Sequence, residues 1–340
     1  FFMRIAVDIG FGFIKGVNEK GEKVCFPSVV GRKKHNVLSG LVGVQDDYLV
    51  TISNGKVENS YFVGDVAITN KFERNWNNDK TFDLDLLKVF CGTCINLLNG
   101  GEKNIDLAVG LPISIFHSQK QALKDMLSGL ELTVKVNDGE YETFTIKSVY
   151  VFVQGAGAYY ATIFDTNGEV VNYDLANSSC AIIDIGYRTV DYLVLEKGKK
   201  GINVLDNLTG SLEDEGMNVA IQSIAQALFD TCGVVDLIEI EKALLWSNGK
   251  LEWGQNTIDL RPYQADAYMA LAEKIKNKIN IQWNKTAVTI PIIYLTGGGA
   301  IELEKYMHRY FKQLKLQDNG QYANAIGYLS AQARFLKNPQ

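Results

Sequence analysis

The sequence predicts an α/β fold built twice: two mixed sheets flanked by helices, each half opening with the same strand–turn–strand unit. Three observations predict it. The tripeptide Asp-Ile-Gly occurs at Asp8–Gly10 and again at Asp184–Gly186, after the mostly apolar runs Arg4–Val7 and Ala181–Ile183. Each copy is followed by a turn, a second apolar run and a charged turn. The residue seven positions beyond the aspartate is charged in both copies, Lys15 and Asp191.

The elements follow in order. Turn residues between β-rich runs predict a meander of Arg4–Val7, Phe13–Asn18 and Lys23–Phe26. The polar stretch from about 27 to 85 reads as an inserted subdomain with strands near Tyr48–Ile52 and Tyr61–Val63. A helix over about Asp83–Leu98 leads to a strand Asp106–Val109, a Gly110-Leu111-Pro112 loop and a helix near Phe116–Leu127. A hairpin from Leu132 to Thr145 precedes the strand Ser148–Val153; Gln154 ends it, and a small-residue helix starts at Gly155.

The second half repeats the plan with Ala181–Ile183, Thr189–Leu195 and Ile202–Leu205. Met217, Ile221, Ile224 and Leu228 recur at helical spacing, so a helix opens near Gly216. A second insertion covers about 217–262, and a long helix, about Tyr263–Trp283, returns the chain to the core. Ile290–Leu295 reads as a buried strand ending in Gly297-Gly298-Gly299, with helices near Ala300 and over about Ala323–Leu336. Domain I is expected over 3–165, completed by the last helix at about 323–337, and domain II over 178–320. Sheets of this kind bind ligands outside strand ends, which places the expected site in an interdomain cleft.

The composition narrows the function classes. A net charge of −5 argues against direct binding to nucleic acid or anionic lipid. The Arg32-Lys33-Lys34 run reads as a solvated loop. No apolar stretch approaches the roughly 20 residues of a spanning helix, so no membrane partner is expected. Five cysteines are an odd number for a disulfide framework and fit a reducing cytoplasm. Cys91 and Cys94 have metal-ligand spacing, yet no second pair completes a zinc site, and they fall in a helical pattern that favours burial. His35, His117 and His308 stand apart from one another and suggest no triad.

Chemistry concentrates in the glycine-bearing turns. In the first, Gly10 and Gly12 let the backbone between Phe11 and Phe13 approach an anion, and Lys15 can point back over a phosphate. The second is Gly186-Tyr187-Arg188-Thr189, with Asp191 beyond. In the third, Thr296–Gly299 and Ala300 lie between a strand and a helix, where backbone can lie flat against a sugar or base. Asp8 and Asp184, at matching strand ends, either cap their own turns or hold Mg²⁺ through water. Gln154 either orients a water toward a γ-phosphate or caps the next helix. Glu215-Gly216 either reaches a nucleoside or caps the helix that follows it.

These motifs, in this order, resemble the superfamily of actin, heat-shock chaperones and sugar kinases. More closely, Phe26-Pro27-Ser28, Tyr61–Asp65 and Val109–Pro112 are similar to the ParM/StbA group of plasmid-segregation actins and their archaeal relatives. The resemblance implies a duplicated actin-like (RNase H-like) fold. It also implies a filament of identical subunits that bind ATP or GTP with Mg²⁺, assemble head to tail, hydrolyse slowly and disassemble, with a DNA-bound adaptor of ParR type as partner. By resemblance, Gly10, Phe11, Gly12, Phe13 and Lys15 contact phosphates, Asp8 and Asp184 order Mg²⁺, and Gln154 positions the attacking water. Gly297, Gly298, Gly299 and Ala300 contact the nucleoside, and Glu215 and Gly216 close its far side. Gln154 stands where some ParM-like proteins have Glu. Phe11 and Tyr187 stand where many relatives place small or hydroxyl residues. A small-molecule kinase of the same superfamily is the alternative; it requires an acid poised at a substrate hydroxyl, and none stands out.

Overall fold

In the computed structural model, described over residues 2–33, 48–74, 83–199, 201–233, 235–284 and 289–337, the chain forms two units. One comprises Phe1–Tyr173 with Tyr322–Gln340, the other Asp174–Gln321. Lys34 and His35 lie outside the described residues.

The first unit is organised by one sheet. Its strands are β1 (Met3–Ile9), β2 (Phe13–Asn18), β3 (Lys23–Pro27), β4 (Val30–Arg32), β5 (Tyr48–Ser53), β6 (Glu58–Val63), β7 (Asn104–Leu111), β8 (Glu131–Val136) and β9 (Glu142–Val153). Among the described residues they join in the order β3-β2-β1-β7-β9-β8-β5-β6-β4. β1, β7 and β9 run parallel, so their C-terminal ends gather at one edge. Alternation divides the side chains between two layers. Ile5, Val7 and Ile9 share a core with Phe90, Cys94 and Ile95 of the helix Leu84–Leu98. Ala6 and Ala108 share another with Ala325, Tyr328 and Leu329 of the helix Ala323–Lys337. Asp8 stands two residues from Ala6 and shares its face.

Among the described residues, the strands within 27–85 extend the main sheet, β5 pairing with β8. One expectation is corrected here. Gly110 and Leu111 belong to β7, paired with Phe152 and Val153, where a loop was expected. Glycine serves packing at that point, because a Cβ on Gly110 would overlap the Tyr328 ring. That ring lies parallel to Phe152, with centroids 5.7 Å apart.

In the second unit β10 (Cys180–Ile185), β11 (Val190–Gly198) and β12 (Gly201–Val204) form the meander. β13 (Gly210–Leu212) pairs with β11, and a small hairpin joins β14 (Lys250–Trp253) to β15 (Asn256–Asp259). β16 (Ile293–Thr296) and β17 (Leu314–Leu316) complete the sheet, ordered β12-β11-β10-β16-β17. β16 begins at Ile293 rather than Ile290; Pro291 has no N–H to give a ladder. The helices Met217–Cys232 and Arg261–Trp283 contribute Ile224, Leu228, Ile275 and Ile279 to the core. Trp283 closes it: the ring is fully buried, and its indole N–H donates to the Leu208 carbonyl at 2.8 Å.

All five cysteines are free thiols. Burial pushes Cys91 and Cys180 up to about 12, so both stay protonated as small apolar groups. No helix among the described residues is long and apolar enough to cross a membrane.

The helix Ala323–Lys337 meets the helix Ala156–Ile163 glycine to glycine, since a Cβ on Gly327 would overlap the Gly157 carbonyl. Neither backbone can give way without moving its helix. Gly327→Ala is therefore expected to lower unfolding free energy in urea by about 1–3 kcal/mol or more; an unchanged midpoint would show that the helices part at no cost.

Candidate functional site

The first glycine turn joins β1 to β2, and register does the initial positioning. Asp8 pairs directly with Lys15 across the hairpin, which explains the seven-residue spacing. The Lys15 ammonium lies 3.2 Å from Asp8 Oδ2. Gln154 follows β9, two strands away, and its amide donates to Asp8 Oδ1 at 3.1 Å. Asp8 and Gln154 are both buried. Gln154 does not cap the next helix. Gly155 occupies the cap position, and its N–H goes to Asn324 Oδ1.

The turn itself is held by its carbonyls. The Ser28 hydroxyl donates to the Gly10 carbonyl at 2.5 Å. The Gly12 carbonyl accepts from Ser28 N–H at 2.9 Å and from Arg74 Nη1 at 2.6 Å. In a trans peptide the carbonyl and the following N–H point in opposite directions. Tying back the Gly10 and Gly12 carbonyls therefore aims the N–H groups of Phe11 and Phe13 to the opposite side. Gly10 admits no side chain, because a Cβ would lie 2.8 Å from the Phe13 carbonyl and 3.0 Å from Lys15 Nζ.

The second turn reaches the same state with backbone alone. Gly186, Tyr187 and Arg188 carbonyls accept from the N–H groups of Met217 (3.1 Å), Asn218 (2.8 Å) and Gly216 (2.9 Å), respectively. Glu215 N–H also donates to Arg188. The N–H groups of Tyr187, Arg188 and Thr189 are thereby aimed away from the helix Met217–Cys232. The amides at the start of that helix, orphan donors by its geometry, serve the turn. Gly216 is required for this docking, since a Cβ would overlap the Tyr187 carbonyl. Arg188 is fixed by Asp214 at 2.7 Å. Asp184 and Asp191 are register partners on β10 and β11, both buried, so two carboxylates stand where the first hairpin pairs an acid with a lysine.

In the third glycine run only Gly298 has open space around its Cα. Gly297, at φ +90°, sits against Asp184 and Ile185, and Gly299 against Met217 and Ile185. Ala300 starts the helix Ala300–Met307 and is buried. Thus the run packs onto the end of β10 and brings Gly298 near the second turn. Glu215 is buried and ion-paired to Lys274 at 2.7 Å and Lys278 at 2.5 Å. Burial pushes its carboxyl up, but the hydrogen bonds and charges of the two lysines outweigh this and hold it below its ordinary value.

Sequence reasoning missed Arg74, Lys274 and Lys278. The two lysines are four apart on the long helix, a spacing that shows a shared face but not its target. Among the described residues no group of three or more His, Cys, Asp or Glu could hold a metal ion. Asp8 and Asp184 are each a buried carboxylate at a strand end, one in each unit, and Mg²⁺ takes one or two carboxylates, completing its shell with phosphate and water.

Two family models cover most of the chain. Residues 6–157 match the actin-like proteins N-terminal domain, and residues 182–309 match the C-terminal domain of archaeal MreB-like actin homologues. This chain is an actin-like protein. A ParM subunit from a 15-stranded filament of Clostridium botulinum has a similar fold, with TM-score 0.82 and 26% identity over 97% of this chain and 99% of that one. An archaeal actin homologue of Thermoplasma acidophilum is 22% identical, covering 97% of this actin-like chain and 98% of its own. The structure of an archaeal actin homologue in complex with ADP superimposes with TM-score 0.77 at 19% identity, covering 97% of this chain and 99% of the other.

The lysine clamp on Glu215 makes a pH prediction. A carboxyl held low in the folded state stabilises above its unfolded pKa, and that contribution is lost as pH falls through the folded value. The stability gap between wild type and Glu215→Gln should be full at neutral pH and shrink in acid melts. A gap that is constant from neutral to acid pH would contradict the clamp.

Proposed function

We propose that this actin-like protein binds ATP or GTP with Mg²⁺, assembles head to tail into filaments, hydrolyses the nucleotide slowly and then disassembles. The observation that carries the reading is the tying back of carbonyls in both Asp-Ile-Gly turns, which aims the backbone N–H groups of Phe11 and Phe13 in one unit, and of Tyr187, Arg188 and Thr189 in the other, as anion-binding donors. The ParM filament and the ADP-bound archaeal homologue, which share the fold, support assembly and nucleotide as its purpose. By the same kinship, the filament's role is plasmid segregation through a DNA-bound adaptor of ParR type.

Each residue has a defined task. These donors orient the phosphates, and Lys15 places a compact positive charge beside them while remaining paired to Asp8. Mg²⁺, when bound, neutralises phosphate charge; Asp8 and Asp184 are the carboxylates that would hold it, through water. Gln154, whose amide N–H₂ is fixed on Asp8, would use its carbonyl oxygen to orient the attacking water rather than to take its proton. Gly298 offers open backbone to the nucleoside, with Gly297, Gly299 and Ala300 shaping the wall. Glu215 and Gly216 close its far side.

Concentrated protein should scatter more light, and sediment, when ATP or GTP is added with Mg²⁺. Gln154→Ala should keep assembly but slow phosphate release by roughly 10²-fold, the scale of a lost positioning contact, so that its polymers persist. No polymer with either nucleotide would refute the filament reading. Unchanged phosphate release in the variant would remove Gln154 from the chemistry.

A further inference from the structure

Arg74 comes from a part of the chain that the nucleotide motifs do not touch. It follows the short helix Asp65–Thr69, and the chain turns sharply at Lys71, whose φ is +61°. Phe72 then wedges against Gly31, where a Cβ would overlap its ring, and lies 6.5 Å from the ring of Phe62. Its N–H is tied to the Ala67 carbonyl at 3.0 Å. This anchoring delivers Arg74, two residues later, to the turn between β1 and β2. There its Nη1 donates to the Gly12 carbonyl at 2.6 Å, across 62 residues of sequence, and its guanidinium carbon lies 5.9 Å from the centre of the Phe13 ring.

The contact falls on a peptide whose first residue gives it no steric restraint. Gly12 has no Cβ, and glycine adopts a wide range of backbone conformations at little cost, so the orientation of the Gly12–Phe13 peptide depends on Phe13 and on the hydrogen bonds to the Gly12 carbonyl. A flip would turn the Phe13 N–H away from the anion side and present a carbonyl oxygen there. Ser28 N–H also holds the Gly12 carbonyl, but as a neutral donor at 2.9 Å. The guanidinium adds a charge-assisted hydrogen bond, roughly twice as strong as a neutral one.

We propose that Arg74 is a positioning residue of the first phosphate turn, holding the Gly12–Phe13 peptide in its anion-binding orientation through the Gly12 carbonyl. The proposal rests on the nucleotide reading given above. It extends that site to a residue supplied by the 48–74 segment, so nucleotide affinity depends on how Phe72 is seated.

The test is direct binding of ADP with Mg²⁺ to the full chain, by calorimetry at low and high salt, with melting curves alongside. Arg74→Ala and Arg74→Lys should each weaken binding by about tenfold, the scale of one charge-assisted hydrogen bond, with little change in melting temperature. Lysine keeps the charge but not the planar fork, so it should not rescue, and the loss should persist at high salt. Full affinity in both variants, full rescue by lysine, or a loss that vanishes in high salt would overturn the proposal, the last two because they mark a diffuse charge effect. If the alanine variant does not fold, the lysine variant decides alone on the same criteria. Absence of binding by wild type would instead overturn the nucleotide reading, and the role of Arg74 with it.

Discussion

Under the proposed function, the direction of a few peptide planes governs this protein's chemistry. A turn offers N–H groups to a ligand only if its carbonyls are satisfied on the other side, because the two are fixed antiparallel by peptide planarity. A buried carbonyl left without any partner costs about 1–3 kcal/mol, so an anchor that is a carbonyl's sole partner stabilises the fold as well as aiming a donor, while a second anchor on the same carbonyl mainly aims it. In the first unit the anchors are Ser28 and Arg74; in the second they are the opening amides of a helix. The parallel strands, the glycine contacts and the docking of the helix Met217–Cys232 all serve to put those anchors in place.

The two halves solve one problem with different chemistry. The first hairpin pairs Asp8 with Lys15, and Gln154 engages the remaining carboxylate oxygen, so its acid is balanced from within. The second sets Asp184 opposite Asp191 in register. Two carboxylates thus share one strand end in the second unit, where the first unit pairs one with a lysine. Gly297 packs against Asp184 and Ile185, and Gly299 against Ile185, so the third glycine run and the acid pair share one strand end.

Much of this was legible from residue order. The spacing from Asp8 to Lys15 and from Asp184 to Asp191 is a register statement, because a tight hairpin brings position i opposite i+7. The apolar period of Met217–Leu228 showed its helix for the ordinary reason that one face is buried. What escaped was whatever depended on distant chain or on very short elements. Arg74 acts 62 residues from Gly12, and nothing local to either residue encodes the contact. Gly110 looked like a turn residue because glycine usually is one; here it is the space under Tyr328. β13 and β17, three residues each, are too short to show alternation.

The most direct measurement is a crystal structure of the full chain grown with ADP and Mg²⁺. The account predicts β-phosphate oxygens within hydrogen-bond distance of the Phe11 and Phe13 amides and of at least one among Tyr187, Arg188 and Thr189, with the Gly10, Gly12 and Gly186 carbonyls still held by their anchors. Nucleotide bound away from these amides, or reached by flipping those carbonyls toward it, would contradict the account.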